Sequence, residues 1–411
     1  MDGSFLIPKE PRLLWSALLP RRRGNPSPTP VSGSPTHWLF WARNAIYHGL
    51  RALNVKPGEN VLVPSYHCTS VVEPILQYGG EVKFYTVGLD LQPDFADIES
   101  KIDGKTRAVL AIHYFGFPQP IQIFKDLCRR HGLYLIEDCA HVLVGSTATD
   151  VPLGTTGDVS IFSWRKFLPV YDGGQLVINN PALQLDARWD GGSALFSLKI
   201  AKNLLDKLMA DSNNTVVQNL AKLSQMPGGL VRRMATVRGY APSKGIVNSF
   251  DLKFDMAFVN LRMSAFSRYI MRNTDIAEVS EKRRRNYQTL AAAVAAMPGV
   301  KPVYPSIPEH VSPWIFPLLV YGVKNLHLTL RERGIPATNW SGVIHRDLPL
   351  ERFPHSHFLY DNLIFLPIHQ SLSDGDLNIM VGILGDVLGK RTQTDAESVD
   401  GRLSLSALSG R

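Results

Sequence analysis

The chain has 411 residues, 45% of them hydrophobic and 19% charged, a length and balance that predict a globular protein with one large and one smaller domain. No apolar run reaches the roughly 18 residues of a bilayer span, no basic segment leads into an apolar core as in a secretory signal, and three cysteines without metal-ligand spacing (Cys68, Cys128, Cys139) suit a reducing cytoplasm. The net charge of +8 is densest at Arg21-Arg22-Arg23 and Arg283-Arg284-Arg285, with no aromatic-interleaved basic patch, so nucleic acid is not expected and attraction of an anionic small substrate is.

Residues 1–36 are rich in Pro, Ser and Arg and read as an irregular arm able to pack on a partner subunit. From Trp38 to Leu53 the pattern fits an amphipathic helix, stopped near Pro57-Gly58. Residues 61–63 predict a strand, 69–77 a helix and 82–85 a second strand. Residues 91–107 suit a helix, 108–112 a strand followed by the loop His113-Tyr114-Phe115-Gly116, and 123–132 another helix. This alternation implies right-handed crossovers and a mostly parallel sheet. No Gly-x-Gly-x-x-Gly follows the first strand, which argues against a nicotinamide-binding unit.

Three short apolar runs come next, at 133–136, 159–162 and 175–178, and read as buried strands. The first ends in Glu137 and Asp138, the second in Ser163, Arg165 and Lys166, and the turn Asp172-Gly173-Gly174 leads into the third. An acid and an amine therefore stand just past strand carboxyl ends, the edge at which open α/β sheets bind ligands. By residue type alone the pair is a salt bridge, two unrelated surface charges, or a pyridoxal phosphate site. In such a site the lysine forms a Schiff base and a carboxylate keeps the pyridine nitrogen protonated.

Residues 183–250 contain one or two amphipathic helices and read as an atypical helical insertion. Helical patterns run over 265–297. Strands at 314–320 and 363–366, with helices at 325–333 and 374–389, build a smaller domain, and 390–411 is a polar, Ser-rich tail expected to be disordered.

The order of a strand ending in Glu137-Asp138, then His141, then Gly157-Asp158 and the strand to Ser163, then Lys166, then Asp172-Gly173-Gly174 resembles the DegT/DnrJ/EryC1/StrS family of PLP-dependent sugar aminotransferases. The likeness covers about residues 38–389 and is most specific over 133–177. It implies an α/β protein of the aspartate aminotransferase fold, PLP-dependent transferase type I. The large domain, 37–298, carries a mostly parallel mixed sheet flanked by helices, and the small C-terminal α+β domain spans 299–389.

The resemblance also implies roles. Lys166 is the catalytic lysine and proton carrier, Asp138 the partner of the pyridine nitrogen, His141 a neighbour of the phenolic oxygen and Ser163 a phosphate ligand. Ala42-Arg43-Asn44 stands where the family has a phosphate-binding Ser-Gly-Thr turn, so Arg43 and Asn44 are cofactor candidates at a helix N-terminus. Cys68 falls at the position of the aromatic ring that stacks on the cofactor, a role Tyr66 or His67 takes if the loop is shifted. His67, His113 and Tyr114 are substrate candidates, and no metal is expected. Asn260-Leu261-Arg262-Met263-Ser264 is similar to a family motif whose Asn reaches the neighbouring subunit's phosphate, implying a homodimer with shared sites. One departure is the spacing from Ser163 to Lys166, three residues where the family has five; the six from Lys166 to Asp172 match.

The implied function is transfer of an amino group, from L-glutamate by family habit, to a keto-sugar that is nucleotide-linked. Two alternatives stay open: other PLP chemistry on sugars such as dehydration, and a catalytically silent PLP-fold protein that serves as a binding or regulatory partner. The known route to dehydration replaces the lysine by histidine, and Lys166 is retained.

Overall fold

The structure, a computed structural model, describes residues 5–19, 33–212 and 254–395. The apolar runs form β2 (Asn60–Pro64), β3 (Glu81–Tyr85), β4 (Thr106–Ile112), β5 (Tyr134–Cys139) and β6 (Val159–Ser163), which pair in parallel in the order β6-β5-β4-β2-β3. Near-continuous burial of β2, β5 and β6 is what a parallel sheet covered on both faces demands. β7 (Gly174–Ile178) joins antiparallel to β6, and β1 (Thr36–Leu39) closes that edge antiparallel to β7. β3 lies on one side of β2 and β4 on the other, so the order of the strands reverses there and a crevice opens at their carboxyl ends.

The helices α1 (Ala42–Ala52), α2 (Thr69–Tyr78), α3 (Phe95–Lys101) and α4 (Ile121–His131) flank this sheet. The helix expected from Trp38 is shorter at its start. Trp38 and Leu39 are in β1, paired with Gln175 and Gly174, because the sheet edge at β7 offers them a ladder that a helix would forgo. α1 is buried nearly all round rather than amphipathic: the Asn44 amide donates to the Phe258 carbonyl at 2.6 Å, and the His48 ring lies 3.0 Å from the Val259 carbonyl. The expected helix over 91–107 is only α3, with β4 beginning at Thr106. Glu137 and Asp138 lie inside β5 rather than past it.

Within the expected insertion, α5 (Ala194–Ala210) starts at Ser193, whose hydroxyl accepts the Phe196 N–H at 3.1 Å. The remainder of that stretch, 213–250, lies outside the described residues. The helical run over 265–297 is two helices, α6 (Ala265–Asn273) and α7 (Ile276–Val294), because Asp275 takes an extended conformation and caps α7 by accepting the Glu278 N–H at 3.0 Å. A second, antiparallel sheet has the order β10-β9-β8, from β8 (Val300–Pro302), β9 (Phe316–Val320) and β10 (Leu363–Leu366). With it go α8 (Leu326–Glu332), α9 (Pro354–Asn362) and α10 (Asp374–Asp395). α10 runs to Asp395, past the expected start of the tail; residues 396–411 lie outside the described ones.

Residues 5–19 of the arm lie on their own chain. Leu6 N–H donates to the Gly334 carbonyl at 2.9 Å, Arg12 N–H to the Ser371 hydroxyl at 2.9 Å and Leu13 N–H to the Asp211 carboxylate at 2.7 Å. Among the described residues no helix is long and apolar enough to cross a membrane.

One close approach ties the strands to α1. A Cβ on Gly174 would lie 2.2 Å from the Trp41 carbonyl carbon and 2.5 Å from the Ala42 nitrogen. Only glycine lets β7 start against the turn that begins α1. Gly174→Ala is therefore expected to destabilise the protein by about 3 kcal/mol, measured as a lower urea midpoint with an unchanged slope.

Candidate active site

Alternation along β5 sends Glu137 and Asp138 to opposite faces of the sheet. Glu137 is wholly buried and its oxygens accept four hydrogen bonds: Gly154 N–H at 2.6 Å, Gly157 N–H at 2.7 Å, Thr156 N–H at 3.0 Å and His113 Nε2–H at 3.0 Å. Burial alone would raise its pKa, but the His113 hydrogen bond, with the amides, outweighs it and holds the carboxyl below its usual value. His113 Nδ1 accepts the Gln119 N–H at 2.9 Å. The cluster His113, Glu137 and Cys139 brings ligand-type atoms within 4.8 Å of one another, yet both histidine nitrogens and the carboxylate are already occupied, so it is a structural network.

Asp138 faces a cavity of about 970 Å³ at the carboxyl edge of the sheet. Its Oδ1 accepts the Ala140 N–H at 2.8 Å. Burial raises its pKa despite the nearby Lys166 charge. Lys166 ends a 3₁₀ turn, Trp164–Lys166, wound directly after β6; this turn is how three residues span from Ser163 to the lysine. Burial brings the Lys166 amine down to about 8, opposed by Asp138 and Cys68 and reinforced by Arg165. The loop carrying it is closed by the Asp172-Gly173-Gly174 turn: Gly173 N–H donates to the Phe40 carbonyl at 2.9 Å, Trp164 N–H to the Gly173 carbonyl at 2.8 Å, and Ser264 N–H to Asp172 Oδ1 at 3.1 Å. Gly173 has φ +144°, a backbone that favours glycine.

Of the residues singled out from the sequence, Arg43, Cys68, Asp138, His141, Ser163 and Lys166 line this cavity together. His141 is held neutral, its pKa pushed far down by burial and the Lys166 charge, and its Nδ1 accepts the Phe115 N–H at 3.3 Å, which leaves the proton on Nε2. Phe115 adopts φ +57° to present that N–H. The position expected for a stacking ring holds the Cys68 thiol. Tyr66 is not shifted into it; its ring packs 4.9 Å from both Trp340 and Tyr360.

Five candidates lie outside the cavity wall. Asn44 is engaged at Phe258. His67 is buried with Nδ1 2.8 Å from the Pro64 carbonyl and its ring stacked on Phe84, and burial takes it down to about 4. His113 serves Glu137, and the Tyr114 hydroxyl donates to the Tyr66 carbonyl. Asn260 is exposed, its carbonyl accepting the Asp190 N–H at 2.8 Å.

The wall also contains residues that sequence reading did not single out as a site. Trp314 meets both Lys166, whose Nζ is 4.6 Å from its ring centroid, and His141, whose ring stacks on it at 4.4 Å. The Trp314 backbone N–H donates to the Phe115 carbonyl at 2.8 Å. Trp340, Arg283, the arm residues Lys9–Pro11 and the α5 side chains Lys199, Asn203 and Lys207 complete the wall. No local pattern signals them, because they come from segments far apart in the chain.

Over residues 42–198 the chain matches the DegT/DnrJ/EryC1/StrS aminotransferase family. It is 39% identical over 139 residues to the GDP-perosamine synthase of Vibrio cholerae, covering 33% of this chain and 38% of the relative. It is 30% identical over 153 residues to the UDP-N-acetyl-3-dehydro-alpha-D-glucosamine 3-aminotransferase of Acidithiobacillus ferrooxidans, covering 35% and 40%. The matched part thus spans about two fifths of these relatives' length. The fold is similar to Helicobacter pylori PseC, an aminotransferase involved in the biosynthesis of pseudoaminic acid, with TM-score 0.64 and 16% identity over 94% of this chain and 100% of that one.

The Glu137 network makes a prediction with a definite sign. A carboxyl held below its unfolded value contributes stability above that value, and the contribution is lost as pH falls through the folded pKa. Glu137→Gln should cost about 3 kcal/mol at pH 7. The gap to wild type in urea unfolding should narrow as the pH is lowered below about 4.

Proposed function

We propose that this chain, whose residues 42–198 belong to the DegT/DnrJ/EryC1/StrS aminotransferase family, is a pyridoxal-phosphate-dependent aminotransferase. It takes an amino group from an amino acid, L-glutamate first among donors, and gives it to a nucleotide-linked keto-sugar. The observation that carries this reading is one buried carboxylate and one half-buried amine, Asp138 and Lys166, facing a single cavity at the carboxyl edge of a parallel sheet.

The residues fit the cofactor. Asp138 is driven toward its neutral form by burial, and a cationic ring nitrogen beside it would restore the ionised one. Trp41, at the N-cap of α1, has its indole N–H buried and without a hydrogen-bond partner among the described residues; the guanidinium of Arg43 lies 4.2 Å from its ring centroid, and Ser163 lines the same cavity. Donors gathered at a helix N-terminus suit a phosphate. Bound there, pyridoxal phosphate supplies the electron sink for breaking the C–H bond beside the transferred nitrogen.

This chain's own residues do the rest. Lys166, with an amine near 8, is partly neutral at physiological pH and able to take a proton at Nζ and return it. His141 offers an Nε2–H donor toward the cavity without adding charge. Trp314 and Trp340 exclude water on the side of the small sheet. The cations Lys9, Lys199 and Lys207 suit the phosphates of a nucleotide-linked acceptor, and the GDP- and UDP-sugar chemistry in the names of the relatives supports that class. An exposed Asn260, with the exposed apolar side chains Trp15, Leu19, Phe266 and Tyr269, supports a two-fold dimer. Three free cysteines suit the cytoplasm.

The test is absorbance. Wild-type protein with added pyridoxal phosphate should show the visible band of the bound cofactor, and L-glutamate should remove it; Lys166→Ala should lack the glutamate response. Asp138→Asn should lower turnover by about 10²-fold or more. Wild-type protein that gives no band with added pyridoxal phosphate would overturn the reading.

A further inference from the structure

In the sequence, Arg283 looks like part of a solvated helical face. In the fold it is among the largest fully buried side chains, 1% exposed. Burial alone brings its guanidinium down to about 9, and among the described residues no carboxylate counters it. A buried cation of this kind is costly unless its donors are used. Nη1 donates to the Trp314 carbonyl at 2.8 Å, Nη2 to the Phe167 carbonyl at 3.3 Å and Nε to the Gln370 side-chain oxygen at 3.1 Å. The guanidinium also lies over the Phe167 ring, 4.9 Å from its centroid. Gln370 Nε2 donates to the same Phe167 carbonyl at 2.8 Å.

Two features coincide in this arrangement. The carbonyl of Phe167, the residue directly after Lys166, receives two donors. The same guanidinium holds the carbonyl of Trp314, whose ring lies 4.6 Å from Lys166 Nζ. We propose that Arg283, together with Gln370, is the positioning residue for Lys166, pinning the backbone after the lysine and the Trp314 peptide in one arrangement so that the amine is kept against the indole face inside the cavity. Arg283 does not touch the reacting atoms. A planar fork can reach two carbonyls and an amide at once, which a lysine ammonium on a flexible stem cannot.

The inference rests on the aminotransferase reading only for what the Lys166 amine is used for; the clamp belongs to the cofactor-free fold. The titratable groups that act on Lys166 are Asp138 on β5, Cys68 before α2, Arg165 beside it and His141 after β5. None is on α7, but Arg283 is itself a cation near the amine, so Gln370→Met, which leaves that charge in place, is the variant that reads the clamp alone.

The experiment uses the full chain without cofactor. Acetylation of Lys166 by acetic anhydride is followed against pH by mass spectrometry, in wild type, Arg283→Gln and Gln370→Met, with the thermal midpoint of each. Wild type should titrate near 8. Arg283→Gln should shift the midpoint upward, toward the ordinary 10.5, by about one unit or more as water reaches the amine. Gln370→Met, which removes one of the two donors on Phe167, should shift it the same way by less. An unchanged midpoint in folded Arg283→Gln overturns the proposal. If that variant does not fold, an unchanged midpoint in Gln370→Met does so. No outcome depends on pyridoxal phosphate, so failure of the aminotransferase reading would appear in the absorbance experiment and leave this result intact.

Discussion

Desolvation of one acid and one amine in a shared cavity is the constraint on which this site depends. Away from water each charge is disfavoured, so Asp138 moves toward its protonated form and Lys166 toward its neutral one. Their mutual attraction only partly offsets the burial. The carboxylate is thus suited to a cationic ligand group, and the amine to accepting a proton near neutral pH. Both properties arise from position: β5 and β6 are adjacent and parallel, so their carboxyl ends bring the two side chains to the same edge.

The two carboxylates of β5 show how position decides role. Glu137 and Asp138 are neighbours in sequence and of nearly the same chemistry. Glu137 turns toward a loop that supplies three N–H donors and toward His113 just past β4, and it is a structural anion. Asp138 turns into the cavity with a single backbone donor identified for it, and it is the carboxylate we propose as the cofactor's partner. The loop Gly154–Gly157, by satisfying Glu137, also braces the strand on which Asp138 sits.

The second sheet contributes the far wall. Gly116, at φ +97°, would place a Cβ 2.5 Å from the Ser312 carbonyl, and Trp314 bonds to Phe115. This contact fixes Trp314, whose ring stacks on His141 and lies 4.6 Å from Lys166 Nζ, while the Arg283 clamp holds the residue's own carbonyl. The cavity is therefore shaped by segments as remote in the chain as Lys9 and Trp340.

The strands, the two carboxylates and the lysine were legible in the sequence because they depend on local signals. Apolar runs of four to seven residues bounded by Gly, Asp or Pro read as buried strands by their length and flanks, and an Asp and a Lys at their carboxyl ends, ambiguous by type alone, were singled out by the resemblance of the order around them. β1 was not legible, since Trp38 and Leu39 suit a helix until β7 supplies a partner for their backbone. His67, His113 and Tyr114 carry polar groups that are attractive as ligands, yet each is satisfied by a distant or local partner that no spacing reveals. The sequence by itself determined the parallel strands β2 to β6, the helices between them and the placement of Asp138 and Lys166 at one sheet edge. Only the tertiary structure decided which aromatic ring faces Lys166, that Cys68 occupies the ring's expected place, and that Arg283 is a buried clamp rather than a surface charge. Burial and hydrogen-bond satisfaction are properties of contacts between remote segments, and a linear pattern does not carry them.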